Sequence, residues 1–452
     1  MKNPIRYIFD KTEPLFSKGG RLEKLYPLWE VFDVFFYTPK EVASGSCHVR
    51  DSIDFKRMMI TVCLALIPCC FMACYNTGYQ AFKVMSETPV AVKVTDEKTN
   101  VETTVLEPLK RVPSQGLIQW RGKLMDCVKI GSFDLGAVPE KGTVGYFSHP
   151  IQFVVYGALF FVPIYIVTFL AGIFWEVIFA IFRKEVVNEG FFVTAMLFPL
   201  TLPATIPLWI VAVAISFGVV IGKEVFGGTG RNILNPALLA RAFIFFAFAE
   251  TIIGDGVWIP VDGFSSPTPL SAAGQHGMEG LSALATSHNL TDMQYWFDCF
   301  VGFIPGSMGE TSALCCLIGA AMLVFTGIGS WRVMLSMCVG TGVLAAFTYF
   351  MYSIGYTNNP SWSIYPHWHF VLGGFALGAA FMATDPVTGA MTRVGQYVYG
   401  FLIGALVIVV RAMNPAFPEG VMLAILFGNL CAPMIDYFVI QTNIKRRALR
   451  HV

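Results

Sequence analysis

From Pro150 to Phe182 the chain carries one charged side chain, Glu176, in an otherwise apolar or weakly polar run. Crossing a bilayer takes about 20 consecutive apolar residues wound as a helix, because no water is present to satisfy a loose backbone. Comparable segments lie near 58–78, 150–182, 190–206, 207–224, 235–253, 311–328, 332–354, 369–384, 396–411 and 418–440. The sequence therefore predicts an all-α polytopic membrane protein of about ten transmembrane helices, several of them short or broken by Pro and Gly. Composition agrees: 55% of residues are hydrophobic and 13% charged, about half the charge of a soluble domain.

The remaining segments divide the chain. Residues 1–57 are polar, with Lys or Arg at ten positions. Their aromatic patch of Tyr26, Trp29, Phe32, Phe35, Phe36 and Tyr37 has roughly helical spacing, suited to a helix lying in the membrane interface. They are too polar for the apolar core of a cleavable signal peptide. Residues 58–254 read as a first five-helix half with a long loop at 79–149. Residues 255–310 read as a second long loop, 311–440 as a second five-helix half, and 441–452 as a basic tail. Basic residues of the short segments (Arg183, Lys184, Lys223, Arg231, Arg332, Arg393 and Lys445 onward) fall on one side, which the positive-inside rule makes the cytoplasm. Both long loops then face outside. Alternation in Val-Ala-Val-Lys-Val and Val-Glu-Thr-Thr-Val of the first loop predicts a small strand pair.

An internal repeat is visible but faint. Phe192-Val-Thr-Ala-Met-Leu-Phe-Pro-Leu-Thr-Leu-Pro203 resembles Phe375-Ala-Leu-Gly-Ala-Ala-Phe-Met-Ala-Thr-Asp-Pro386, and each precedes an Asn-Pro-Ala, at Asn235 and Asn414. The paired segments would be spans three and eight, so the halves would have opposite topology, an arrangement that puts ion or substrate sites at the repeat interface. Chance likeness of two apolar segments is the competing explanation.

Charges inside spans cost several kcal/mol on insertion scales, so each needs a reason. Glu176, Arg241, Glu310, Asp385 and Asp436 are such positions. Snorkelling or structural pairing accounts for some of them, with Arg241 and a carboxylate as the obvious pair. Asp385 differs: Pro386 frees backbone groups beside it, and a carboxylate next to free carbonyls is good ligand chemistry for a hard cation. The acids as a set point to cation passage without identifying the cation.

Other chemistries are excluded. Gly227-Gly-Thr-Gly230 lacks the third glycine and the βαβ setting of a dinucleotide fingerprint, and no G-x-x-x-x-G-K-[ST] occurs. No cysteines have C-x-x-C spacing, so neither a metal cluster nor a disulfide framework is expected from this chain alone. A formal net charge of +1 argues against nucleic acid as a partner. Energy must come from a gradient or a partner protein. The loop stretch Asp262-Gly-Phe-Ser-Ser-Pro-Thr-Pro-Leu270 offers one threonine hydroxyl between two prolines, which by itself is the composition of a surface turn.

Four stretches together resemble a known family. They are Tyr26-Pro-Leu-Trp-Glu-Val-Phe-Asp33, Gly222-Lys-Glu-Val-Phe-Gly-Gly-Thr-Gly-Arg-Asn-Ile-Leu-Asn-Pro-Ala-Leu-Leu-Ala-Arg241, Asp262-Gly-Phe-Ser-Ser-Pro-Thr268 and Met382-Ala-Thr-Asp-Pro-Val-Thr-Gly389. The chain is similar, over essentially its whole length apart from the 80–145 loop, to the B component of the sodium-translocating NADH:quinone oxidoreductases. The second stretch is shared with the D component of the related Rnf complexes. The resemblance implies a covalent FMN on Thr268, joined by a flavin transferase through a phosphoester; where the family reads Ser-Gly-Ala-Thr, this chain reads Ser265-Ser-Pro-Thr268 and keeps the hydroxyl. It further implies non-covalent riboflavin at Asn232 and Asn235, although Asn235-Pro236 would equally make a helix N-cap. Glu30, Glu176, Glu310, Asp385 and Asp436 would line a sodium pathway, and a quinone would bind near Gly172.

The partners implied are an NADH-oxidising subunit with flavin and iron–sulfur centres and an FMN-carrying periplasmic subunit, assembled in the bacterial inner membrane. Two other functions compete: an Rnf-type D component moving electrons between ferredoxin and NAD, and a non-redox channel or transporter built on the inverted repeat.

Overall fold

The computed structural model describes residues 4–450 except 18, 21, 23–25, 27–28, 30–32, 34–54, 88, 96–101, 109–110, 113–118, 128, 131–132, 184–189, 262–263, 265 and 414–418. Glu30, Asn414 and most of the aromatic patch at 26–37 lie outside the described residues. Ahead of that patch, helix α1 (Pro4–Phe16) packs on Trp29, whose indole Nε1 donates to Thr12 Oγ1 at 2.9 Å.

Five described helices are long and apolar enough to cross a membrane: α2 (Phe55–Glu87), α4 (Pro150–Arg183), α11 (Trp331–Ser353), α13 (Arg393–Met413) and α14 (Val421–Ala448). The other expected spans are also helical but shorter. They are α5 (Gly190–Leu200), α6 (Leu208–Val219), α7 (Pro236–Ala247), α10 (Ala313–Phe325) and the three-residue α12 (Phe375–Leu377). Pro203 and Pro207 explain the irregular stretch after α5, since neither residue can donate a helical hydrogen bond. Two π turns extend short helices: Val220–Glu224 continues α6 and Gly378–Met382 continues α12. The coarse expectation of a helical, multi-span membrane protein holds. The difference lies in length: the helices of half the predicted spans stop well short of a full crossing.

Each interrupted segment is tied to the residues just before another helix. Gly309 and Met308 donate their backbone N–H groups to Leu200 and Leu202, while Asp385 receives the amide of Asn235. Helices α2 and α4 cross at glycine. A Cβ on Gly157 would lie 1.8 Å from the Cys74 carbonyl oxygen, and one on Gly78 would lie 2.0 Å from that of Phe153. Small residues let membrane helices approach backbone to backbone. Gly157→Val is therefore expected to cost at least ~1–3 kcal/mol, because the obstacle is rigid main chain. A normal apparent melting temperature for that variant in detergent would contradict the crossing.

The first long loop contains the anticipated hairpin, β1 (Pro89–Thr95) antiparallel to β2 (Glu102–Pro108), with Val92 opposite Val105. It continues through α3 (Gln119–Cys127) to a minimal pair, β3 (Lys129–Ile130) and β4 (Phe133–Asp134). Arg121 fastens this region to α4 by donating to the Leu159 carbonyl at 3.0 Å while covering the Phe160 ring. The second long loop is more ordered than its turn-like composition predicts. It holds α8 (Pro269–Ser287), capped by Thr268, and α9 (Asp292–Val301), opened by a Thr291/Gln294 capping box. Here local capping signals, S/T-x-x-Q among them, outweigh the Gly/Ser/Pro bias. Asp298 on α9 accepts from the Tyr146 hydroxyl at 2.7 Å, and burial raises its carboxyl above the ordinary range.

Candidate functional site

Two cavities hold five of the residues singled out by sequence: Asn232, Asn235 and Asp385 in one, Thr268 and Glu310 in the other. The first, called inner (and the second outer) after the sidedness expected from the sequence, begins at the Asn235-Pro236 junction. Asn235 is the N-cap of α7: its Oδ1 accepts from the backbone N–H of Ala237 at 3.0 Å, and Pro236 supplies the fixed φ of the first turn. Its Nδ2 donates at 3.2 Å to Asp385 Oδ2. Asp385, just past the second π turn, also accepts from Val387 N at 3.1 Å and Thr388 Oγ1 at 3.0 Å. The carboxylate is thus clasped by three donors, so any cation there would have to share or displace them. Asn232 donates to the Leu234 carbonyl at 3.2 Å and faces the same space.

Asn232, Asn235, Asp385, Thr194, Thr229, Phe381 and the apolar Met58, Met59 and Leu197 line a cavity open on one side. Mostly apolar walls with a few convergent amides and hydroxyls suit a flat ring whose edge hydrogen-bonds. In donor chemistry the residues fit a flavin ring.

Lys223 also lines this cavity. Its ammonium is ion-paired with Glu176 of α4, both side chains being buried. The neighbouring Glu224 takes Arg183 of α4 at 2.7 Å. One π turn therefore sends consecutive side chains to two positions on α4. Sequence reasoning counted Lys223 only as a cytoplasmic charge and missed its pairing. Lys223 and Glu224 fall inside the predicted 207–224 span, so the rule applied to other intramembrane charges would have found both.

The outer pocket is lined by Thr268, Ser307, Glu310, Thr311, Gly373 and Glu419. Thr268 is buried at the N-cap of α8, its Oγ1 accepting from Ser271 N at 3.1 Å. Glu310 accepts from the Ser307 hydroxyl, and Arg241 of α7 is ion-paired with Glu419. Arg411 of α13 donates to the carbonyls of His369 (2.9 Å) and Leu372 (2.8 Å). Among the described residues, Arg241 Nη1, Arg411 Nε and Thr311 Oγ1 are buried without a hydrogen-bond partner. The pocket itself carries the carboxylates of Glu310 and Glu419, while Arg241 and Arg411 lie behind it, close enough to Glu310 to offset its charge. The Thr268 hydroxyl, at the N-terminus of α8, is the group a phosphoester would use. Sequence anticipated a carboxylate partner for Arg241. It missed Glu419, Arg411 and His369, which become neighbours only through the fold.

The remaining positions lie elsewhere. Asp436 of α14 accepts from Met391 N (2.8 Å) and Thr392 N (3.1 Å), pinning the start of α13. It lines neither cavity. Gly172 is a packing glycine: a Cβ there would sit 2.2 Å from Phe191 Cζ. Helix α7 runs between the cavities, and Asn235 and Arg241 are about 9 Å apart along its axis at 1.5 Å per residue.

Comparison with known proteins gives the lineage. The family described as NQR2, RnfD, RnfE matches residues 42–445. The B component of the Na(+)-translocating NADH-quinone reductase of Azotobacter vinelandii is 48% identical over 448 residues, covering 99% of this chain and 100% of the relative. The protein of the same name from Chromohalobacter salexigens is 48% identical, covering 99% and 96%. That of Pseudomonas paraeruginosa is 46% identical, covering 99% of each. With the match running through both cavities and nearly every helix, the chain belongs to the NQR2, RnfD, RnfE family.

Proposed function

We propose that the chain works as the membrane component through which a sodium-translocating NADH:quinone reductase passes electrons to quinone while moving Na+. Support comes from relatives of that name at 46–48% identity over 99% of the chain. Their likeness reaches into the N-terminal segment ahead of residue 42, where the broader family match starts. That extent favours the quinone reductase over an Rnf-type complex. The chain is thus part of an oxidoreductase and translocase, and NADH is oxidised on a partner.

On this reading Thr268 would hold FMN, attached by a flavin transferase, with an FMN-bearing periplasmic subunit as the electron-donating partner. Riboflavin sits against Asn232 and Asn235 in the inner cavity, and quinone binds toward Gly172. Na+ passes Glu30, Glu176, Glu310, Asp385 and Asp436. The helices form two inverted five-helix repeats in the bacterial inner membrane, with the N-terminus in the cytoplasm. The observation that carries the reading is the pairing of sites: Asn232, Asn235 and Asp385 on one cavity, Thr268 and Glu310 on another, with α7 between them.

A flavin supplies one- and two-electron chemistry when bound; the chain's own residues do the rest. Thr268 anchors by its hydroxyl alone, which leaves a ring's electronics untouched. The spare guanidinium N–H groups of Arg241 and Arg411 offset negative charge gathered in the outer pocket. The apolar walls of the inner cavity offer contact to the faces of a ring, and its amides orient a ring edge. Energetics permit coupling: a two-electron drop of about 100 mV releases roughly 4.7 kcal/mol, while one charge moved against 100 mV costs about 2.3 kcal/mol.

Asp385→Ala tests the ion side. It should lower sodium stimulation of quinone reduction roughly tenfold, about 1.4 kcal/mol, and leave NADH oxidation on the partner intact. Unchanged sodium dependence would rule out that role.

A further inference from the structure

We propose that Lys223 is a tethered cation shared between the inner cavity and Glu176, so that negative charge in the cavity and a free Na+ at Glu176 favour one another. The proposal rests on the reading of that cavity as the non-covalent flavin site and adds a positioning residue that nothing above assigns. Among the described residues, Lys223 is the one cation lining the cavity. Its ammonium has three donors, and among the described residues Glu176 is its only partner. Both residues are at least nine-tenths buried.

A buried carboxylate left bare is costly, and Lys223 meets that need for Glu176 while the cavity's own carboxylate, Asp385, is held by three other donors and no further charge is present. An ammonium is a compact point charge on a flexible four-carbon stem, here carried by a π turn, a local winding common at functional sites. When one electron enters the cavity from the Thr268 side, the ammonium is drawn toward it and Glu176 loses its counter-ion. One Na+ then takes the vacated place, so the charge of the arriving electron is balanced. When the electron leaves for quinone, the ammonium returns and displaces the Na+. Linkage of this kind is reciprocal: Na+ must favour reduction by the factor with which reduction favours Na+.

The test is a redox titration of the non-covalent flavin in the purified complex, in sodium and in potassium buffers. Wild type should titrate at a higher potential in sodium, and a tenfold linkage reads as about 59 mV for one electron. Lys223→Met should titrate lower in potassium and lose the sodium shift, whereas Lys223→Arg should keep it. Equilibrium binding of radioactive Na+ to the oxidised complex gives a second readout that does not need the flavin. Lys223→Met should bind Na+ at least tenfold more tightly than wild type, and adding Glu176→Gln should remove that gain. An unchanged potential and sodium shift, or unchanged Na+ affinity, overturns the proposal. Full retention of the flavin by Asn232→Leu would overturn the cavity assignment and the proposal with it. Flavin loss in Asn232→Leu, combined with wild-type behaviour of Lys223→Met, would overturn the proposal alone.

Discussion

Thr268→Val should abolish the ultraviolet fluorescence of this chain on a denaturing gel, remove the FMN mass from the intact polypeptide and bring quinone reduction by the complex to background. Valine matches threonine in shape but offers no oxygen for a phosphoester. The structure adds a second consequence, because the same oxygen caps α8 through Ser271 N. Losing an N-cap costs about 0.5–2 kcal/mol, which weakens the loop without unfolding a protein of this size. The non-covalent flavin should therefore remain in Thr268→Val, separating lost attachment from lost fold. Thr268→Ser keeps both cap and hydroxyl and should retain the fluorescent band. Persistence of that band in Thr268→Val would show that attachment lies elsewhere.

The second large effect concerns Arg241. Arg241→Met removes the partner of Glu419 and one of two guanidinium groups near the buried Glu310. Breaking a fully buried pair from one side costs about 3–5 kcal/mol; Glu419 is a quarter exposed, so water takes up part of the stranded charge and the cost falls toward or below the lower end of that range. A steep fall in apparent melting temperature of the solubilised complex is expected. Adding Glu419→Gln to Arg241→Met should recover much of the loss, because the stranded charge is then gone. Equal stability of wild type and Arg241→Met would mean that the outer pocket does not depend on this pair.

The sequence carried the membrane character and the five long apolar helices, because long apolar runs encode both directly. It also carried the Asn235 cap, the loop hairpin and the existence of a partner for Arg241, all of which follow from local pattern or single-residue cost. Helix length escaped it. A run such as 369–384 is apolar throughout, yet Gly373, at positive φ, and the π turn at Gly378–Met382 break it into pieces that hydropathy cannot resolve. The pairings Lys223–Glu176 and Arg241–Glu419 join residues 47 and 178 positions apart, and nothing in either neighbourhood names the other. The two-cavity arrangement is a property of how the broken helices meet.

Helix α7 is fastened at two levels to the other half of the chain, by Asn235 to Asp385 and by Arg241 to Glu419. A rod pinned at two heights cannot pivot about one pin without straining the other. A displacement that widens one chamber is thereby felt in its neighbour, and α7 acts as a short mechanical shaft joining the two.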